Sequence, residues 1–400
     1  MTLLPLNISP CHNPRLFRAA CDENQLVFTP YARAAEPEQA VEARRNPGLA
    51  LLDTEFTRNW LEDYFTRQAR GVARVGVLEA KDCLVSDDWG LALTRAGGFA
   101  ITGMSGFGWT REQFDYMGAH GHLSTAQDSL ALDSAARTRV PLAGTAALLS
   151  FPGAYTYGHW ITDMCGRLEL LAAQHDIAAI DHFLLPATAS WMAPFLAAYG
   201  VPADRVLELD KSHIHEVERL LVPTTLGQHH RGALPVAFAR QVFRRLEGIS
   251  RTWGRLPRWN KENAATAPLV YVRHTALTSA PGRELANEDA LIAVVEAQGG
   301  RVLDPLKLPL PAFLNRLREA ELVIGLDSSA LHNLAMAPAD LLVIQTEPRF
   351  NMLHASIQEA TGKRVGFVRA DATEAGSWTV SAKRFQTLIR QAREKRVAPA

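Results

Sequence analysis

Beyond Thr145 the chain settles into a strand, loop, helix rhythm that is interrupted once and then restarts, and few folds tolerate such a pattern. In the first block, the apolar runs Ala146–Ser150, His182–Leu185 and Arg205–Leu209 read as strands. Helical stretches separate them, one reaching about Gln174 and one near Trp191–Tyr199. Strands joined through helices must run parallel, and a parallel sheet has to be covered on its faces. Leu234 to Trp253 reads as one long amphipathic helix, and Gly254 to Pro268, polar and without apolar period, reads as a linker. The rhythm then resumes with strands at Leu269–Arg273, Arg301–Leu303, Leu322–Gly325, Leu341–Gln345 and Arg364–Val368. Helices are expected near Asn287, at Pro311–Glu319, from about Ser328 and near His354–Thr361, with a charged one over Ser381–Arg396.

A chain of 400 residues is too long for one core, because single cores stop growing near ~250–300 residues. The pattern therefore divides into residues 1–253, a linker at 254–268 and a C-terminal Rossmann-like domain at 269–400. Within the first part, residues 1–145 read as β-rich, with short runs at Leu51–Asp53, Ala73–Glu79, Cys83–Ser86, Leu91–Thr94 and Phe99–Thr102; residues 146–225 read as Rossmann-like, and the helix is placed at 234–253. The fold class expected is α/β, with two Rossmann-like domains facing a central cleft and a β-rich N-terminal elaboration. Ligands in such folds lie beyond the carboxyl ends of the strands, so functional residues should follow strands closely.

Lys and Arg number 42, as do Asp and Glu, which leaves no general electrostatic grip for nucleic acid. The four cysteines, Cys11, Cys21, Cys83 and Cys165, lack paired spacing, which argues against a zinc knot or a dense disulfide framework and fits a reducing compartment. No run approaches the roughly 18 apolar residues needed to span a bilayer, and Met1 to Asn13 has no basic start followed by an apolar stretch. The expected location is cytoplasmic, and peripheral membrane association is compatible with it.

Four clusters follow strands. In Tyr155-Thr-Tyr157-Gly158-His159-Trp160-Ile-Thr-Asp163, a helix starting near Gly158 puts His159 and Asp163 at i and i+4, with Arg167 four residues further. A His and an Asp on one face can share a proton-handling task; a capped helix with an exposed ion pair would read the same way. Tyr271-Val-Arg273-His274, followed by Arg283 and Asn287-Glu288-Asp289, offers guanidinium groups that suit a diphosphate. Asn287 suits a helix cap, and Glu288 and Asp289 suit the positive first turn of the helix it opens. Gly325-Leu-Asp327-Ser328-Ser329-Ala-Leu-His332-Asn333 carries a strand into a helix whose N–H groups could meet an anion, or which Asp327 or Ser328 simply caps. Gln345-Thr-Glu347-Pro348 could reach a ribose or be an ordinary loop.

Taken in order, these clusters resemble glycosyltransferase family 61, which pairs G-H-W-x-x-D-x-x-x-R-L, S-R-R/N-E-D-E-L and H-G-A-G-L-x-N segments. Here they read Gly158-His159-Trp160, Asp163 and Arg167-Leu168; then Arg273-His274, Arg283 and Asn287-Glu288-Asp289-Ala290-Leu291; then Asp327-Ser328-Ser329-Ala330-Leu331-His332-Asn333, over roughly Ala146 to Val368. The resemblance implies a GT-B fold and inverting, metal-independent transfer of a hexosyl or pentosyl group from a nucleotide sugar. The acceptor would be an oligosaccharide or lipid-linked glycan in polysaccharide biosynthesis, the chain acting singly or as a homodimer. The resemblance and the reading of the clusters together assign His159 and Asp163 to catalysis, Tyr157, Trp160 and Arg167 to the acceptor side, and Arg273, Arg283, Asp327, Ser328, Ser329, Asn333, Gln345 and Glu347 to the donor, with no metal ligands and no cofactor.

The chain departs from the family where H-G-A-G becomes Asp327-Ser328-Ser329-Ala330, so an imidazole and two glycines are replaced. A carboxylate there repels a diphosphate unless it is capped or turned away. Two rival readings follow from the same residues: a degenerate transferase serving as a glycan-binding or assembly partner, and a sugar-nucleotide epimerase.

Overall fold

The structure is a computed structural model and describes residues 26–31, 75–86, 90–94, 100–101, 124–126, 129–131, 137–151, 153–225, 234, 236–253, 267–274, 284–346 and 350–397. The expected strand at Leu51–Asp53, most of the linker, Cys11 and Cys21, and the site residues Arg283 and Glu347 lie outside these. The described residues fall into two compact units, one up to Thr225 and the other from Leu234.

The first unit is built on a mixed sheet. Its strands are β1 (Val27–Pro30), β2 (Gly76–Ser86), β3 (Leu91–Thr94), β4 (Ala100–Ile101), β7 (Thr138–Leu148), β8 (His182–Leu185), β9 (Val206–Glu208) and β10 (His213–Pro223), while β5 (Ser124–Ala126) and β6 (Ser129–Ala131) pair apart. The spatial order is β4-β3-β2-β10-β7-β8-β9, with β1 on β2. From β10 to β9 the neighbours are parallel; β2, β3 and β4 add antiparallel neighbours. Ala146, Leu148, Leu184, Val217 and Leu220 from adjacent strands form its core.

β10 is central, yet its sequence, HIHEVERLLVP, does not read as a buried strand. Its charges are met across the sheet: Arg219 binds Glu79 of β2 through two bonds of 2.9 and 2.8 Å, and Arg139 of β7 reaches Glu216 at 2.9 Å. Cross-strand partners of this kind make a charged face compatible with a sheet interior edge to edge.

In the second unit β11 (Leu269–Val272), β12 (Arg301–Leu303), β13 (Leu322–Leu326), β14 (Asp340–Thr346), β15 (Val365–Ala372) and β16 (Trp378–Thr379) are ordered β12-β11-β13-β14-β15-β16, parallel except for β16. The residues of β13 and β14 are buried throughout, as expected for strands covered on both faces. The helices, in chain order, are α1 (Tyr157–His159), α2 (Cys165–Gln174) and α3 (Ala193–Ala198) in the first unit, and α4 (Val236–Trp253), α5 (Glu288–Ala297), α6 (Leu310–Glu319), α7 (Leu353–Thr361) and α8 (Ala382–Val397) in the second. The long helix α4, grouped with the N-terminal part on sequence, belongs by its contacts to the second unit: it packs on α7, and Leu234 N–H donates to Ser356 Oγ. An amphipathic helix joins whichever core fits its apolar stripe, and chain proximity alone does not tell which.

Both sheets reverse their winding once. In the first, the connections leave β7 in one direction and return to β10 on its other side; in the second, β12 and β13 lie on opposite sides of β11. A crevice outside the carboxyl ends of the two strands at such a reversal is where open α/β sheets bind ligands. Among the described residues no helix is long and apolar enough to cross a membrane.

Candidate active site

The end of β7 leads through a tight turn into the helical segment. Leu149 and Ser150 N–H both donate to the Leu184 carbonyl, Ala154 N–H to Phe151, and Thr156 N–H to Gly153. Between α1 and α2, residues Trp160–Met164 form a single π-helical turn. Such wide turns strain the ladder and recur at functional sites.

This turn arranges the first cluster. Asp163, 2% exposed, accepts from Nδ1 of His159 at 3.2 Å, and the same Oδ2 lies 3.1 Å from the Thr162 hydroxyl. Thr162 Oγ1 is also 3.1 Å from the Gly158 carbonyl, so its one proton serves a single acceptor at a time. A carboxylate can only accept, so its pairing with Nδ1 puts the imidazole proton there and leaves Nε2 as the basic nitrogen. His159 keeps a quarter of its side chain in solvent.

The ring is held from outside as well. Phe151 meets it edge-on at 6.3 Å, and a Cβ on Gly153 would stand 3.0 Å from His159 Cδ2. Gly153 also has φ of +90°, a region that favours glycine. Gly153→Ala should therefore destabilise the fold by about 1 kcal/mol or more and displace the imidazole. The check is turnover beside melting temperature: activity should fall further than the loss of folded protein explains.

Arg167, expected on the acceptor side, is not exposed. It is fully buried, with Nη2 donating to the Leu148 carbonyl at 2.5 Å and its guanidinium 5.2 Å over the Phe151 ring. Burial pushes its pKa down to about 9, and attraction to Asp163 opposes that shift, so it remains a cation at neutral pH. Trp160, expected on the acceptor side, is likewise fully buried and packs edge-on against Trp191 at 5.3 Å. Tyr157 is half-buried and packs on the same Trp191 at 5.2 Å. Arg167 and Trp160 thus fix the helix from within, while the His159 imidazole stays within reach of solvent.

In the second unit, Arg273 follows β11 and is 42% exposed. Its Nη2 donates to Asp289 Oδ1 at 2.6 Å, and its Nε lies 3.9 Å from Glu288. Glu288 also accepts from the Tyr271 hydroxyl at 3.1 Å and from the His274 N–H at 2.9 Å; burial, then the Glu288 charge, push the Tyr271 phenol up. Glu288 and Asp289 therefore brace the turn in addition to standing at a positive helix end. Asn287 makes no side-chain cap; its amide bridges Val380 in both directions.

After β13 comes a seven-residue 3-10 helix, Ser329–Ala335, shorter and tighter than the expected helix. Ser328 and Ser329 are partly exposed beside it. Asp327 turns inward: Oδ1 lies 2.8 Å from His354 Nε2, and Oδ2 accepts from Asn351 Nδ2 at 3.2 Å. Two residues expected on the donor side are turned inward. Asn333, 2% exposed, donates to the Ala330 carbonyl, and Gln345, 1% exposed, spends both ends of its amide on the backbone of Asn351. Neither faces solvent, because each closes a local turn.

Arg273 and Asp327 thus stand at the two carboxyl ends flanking the reversal of the second sheet, and His159 follows the corresponding end of the first. Residues 157–344 match the family model described as Glycosyltransferase 61. The chain carries a glycosyltransferase 61 domain. Its activity is accordingly that of a glycosyltransferase, with donor and acceptor substrates. A comparison with curated proteins returns no match. The matched span begins at the helix bearing His159 and ends within β14, so all three motif segments of this glycosyltransferase fall inside it, whereas His354 and Asn351 fall outside. These two residues were missed on sequence: nothing in their spacing distinguishes them, and they matter only because α7 brings them to Asp327.

Proposed function

We propose that the chain is an inverting, metal-independent glycosyltransferase of GT-B type. It moves a hexosyl or pentosyl group from a nucleotide sugar to an oligosaccharide or lipid-linked glycan at a cytoplasmic location, in polysaccharide biosynthesis. The observation that carries this reading is the His159–Asp163 pair, a solvent-reaching imidazole oriented by a buried carboxylate at the carboxyl end of a switch-point strand.

In this mechanism Nε2 of His159 takes the proton of an acceptor hydroxyl as its oxygen attacks the anomeric carbon, and Asp163 stabilises the imidazolium formed. The bond from that carbon to the diphosphate oxygen breaks as the new glycosidic bond forms, which inverts the configuration. The departing nucleoside diphosphate gains negative charge, and the proposal assigns its stabilisation to Arg273 and to the donors of Ser328 and Ser329. Arg273 can exchange partners at low cost, since its pair with Asp289, which is 84% exposed, is a surface pair worth little.

The test is transfer of a labelled sugar from uridine, guanosine, cytidine or thymidine sugar nucleotides to an oligosaccharide panel, with EDTA present and the product anomer read by NMR. Retention of configuration, or strict dependence on an added divalent ion, would contradict the proposal. Arg273→Ala should weaken binding of the matching nucleoside diphosphate by about tenfold or more, whereas Asp289→Asn, which removes a competitor, should strengthen it. Titration calorimetry reads both, and unchanged binding in Arg273→Ala removes that residue from the site.

A second reading is supported by the inward orientation of Asn333 and Gln345 together with the carboxylate at 327: a degenerate transferase that binds glycans without a donor. Oligosaccharide binding with no nucleotide raising the melting temperature would favour it.

A further inference from the structure

Asp327 stands at the carboxyl end of β13, at the reversal of the second sheet, where a bare carboxylate would oppose a diphosphate. It is not bare. His354, on α7 and only 1% exposed, puts Nε2 2.8 Å from Oδ1, and Asn351, itself locked by two bonds to Gln345, holds Oδ2. Burial would push the Asp327 carboxyl up, but the His354 bond and charge, helped by the charge of His332 and by Asn351, bring it below the usual carboxylate range. Asp327 is then ionised at neutral pH and can only accept, so the proton between them belongs to His354 Nε2.

The other ring nitrogen of His354 is buried with no hydrogen-bond partner among the described residues. The His332 ring lies beside it, with centroids 5.3 Å apart. Among the described residues, the His354 side chain thus makes a single polar bond, the one to Asp327. A buried imidazole with such a single engagement is costly to keep unless that engagement matters.

We propose that His354 is a positioning residue of the transferase: it holds the Asp327 carboxylate inward through its Nε2 hydrogen bond, so that the turn Asp327–Ser329 accepts the diphosphate of the leaving nucleotide. This inference rests on the transferase reading above. An imidazole supplied by α7 would then stand behind the site at which the strand itself carries a carboxylate.

The experiment is titration calorimetry of the full chain at pH 7 with UDP, GDP, CDP and TDP, followed by a double-mutant cycle with whichever binds. His354→Gln replaces the rigid ring donor by a flexible amide, releases the carboxylate toward the diphosphate and should weaken binding by about tenfold or more. Asp327→Asn should bind at least as well as the native chain. The combination Asp327→Asn/His354→Gln should return to within about threefold of the native Kd, a large non-additivity. A purely structural role for His354 predicts the opposite: a double variant as weak as His354→Gln or weaker, and that result overturns the proposal, as does unchanged binding in His354→Gln. If His354→Gln does not fold, the double variant still decides, since rescue of folding and binding supports the proposal and absence of binding overturns it. Failure of the native chain to bind any of the four sinks the transferase reading as well, whereas native binding without rescue sinks only the role of His354.

Discussion

Asp163→Asn should lower turnover by about 10²- to 10⁴-fold, the usual contribution of positioned acid-base groups, while donor binding stays close to native. The substitution keeps the shape of a side chain that is 2% exposed and removes only its charge. An amide can donate as well as accept, so it no longer dictates which nitrogen of His159 carries the proton, and an imidazolium formed beside it loses its counter-charge. His159→Ala should cost a similar factor, and the double variant should be little worse than either single one, because the two residues act as one unit. The measurement is initial rate with saturating donor and acceptor, paired with calorimetric binding of the nucleoside diphosphate. Turnover within tenfold of native in Asp163→Asn would remove the pair from proton transfer.

Trp160→Ala should destabilise the first unit by about 3–5 kcal/mol, the typical cost of emptying a fully buried aromatic site. For a unit of this size that corresponds to a fall on the order of 10 °C in melting temperature. The indole is 0% exposed and meets Trp191 edge-on, and its Nε1 has no hydrogen-bond partner among the described residues. Trp160→Phe should consequently cost much less, since it keeps most of the ring and removes a polar group that gains nothing from burial. The result separates two roles: a residue touching the acceptor would lower activity at unchanged melting temperature, whereas one supporting the π turn lowers both together. Differential scanning calorimetry of the two variants decides between them.

Periodicity alone located much of the scaffold. The runs His182–Leu185 and Arg301–Leu303 coincide with β8 and β12, and the helix expected at Pro311–Glu319 is observed at Leu310–Glu319. These segments carry an apolar pattern dense enough to declare itself without neighbours. β10 does not, because its Glu216 and Arg219 are tolerable only once Arg139 and Glu79 face them from other strands. Ala73–Glu79 and Cys83–Ser86 read as two strands for a related reason. The intervening Lys81 and Asp82 look like a turn, yet Arg219 pairs with Lys81 in the ladder and β2 runs through, with Asp82 at φ of 50°.

By itself the sequence determined the alternation of strands and helices in two blocks, and the adjacency of His159 to Asp163, since a helical turn brings i and i+4 together whatever surrounds them. Only the tertiary structure decided which motif residues meet solvent and which are spent inside. Trp160, Arg167, Asn333 and Gln345 all lie in or beside recognisable segments, and all four are buried. Asp327 shows the same limit: its sequence context describes a charge, whereas its orientation comes from His354, 27 residues away on another element. Burial and hydrogen-bond partners are properties of packed surfaces, and those surfaces exist only when segments distant along the chain are brought together.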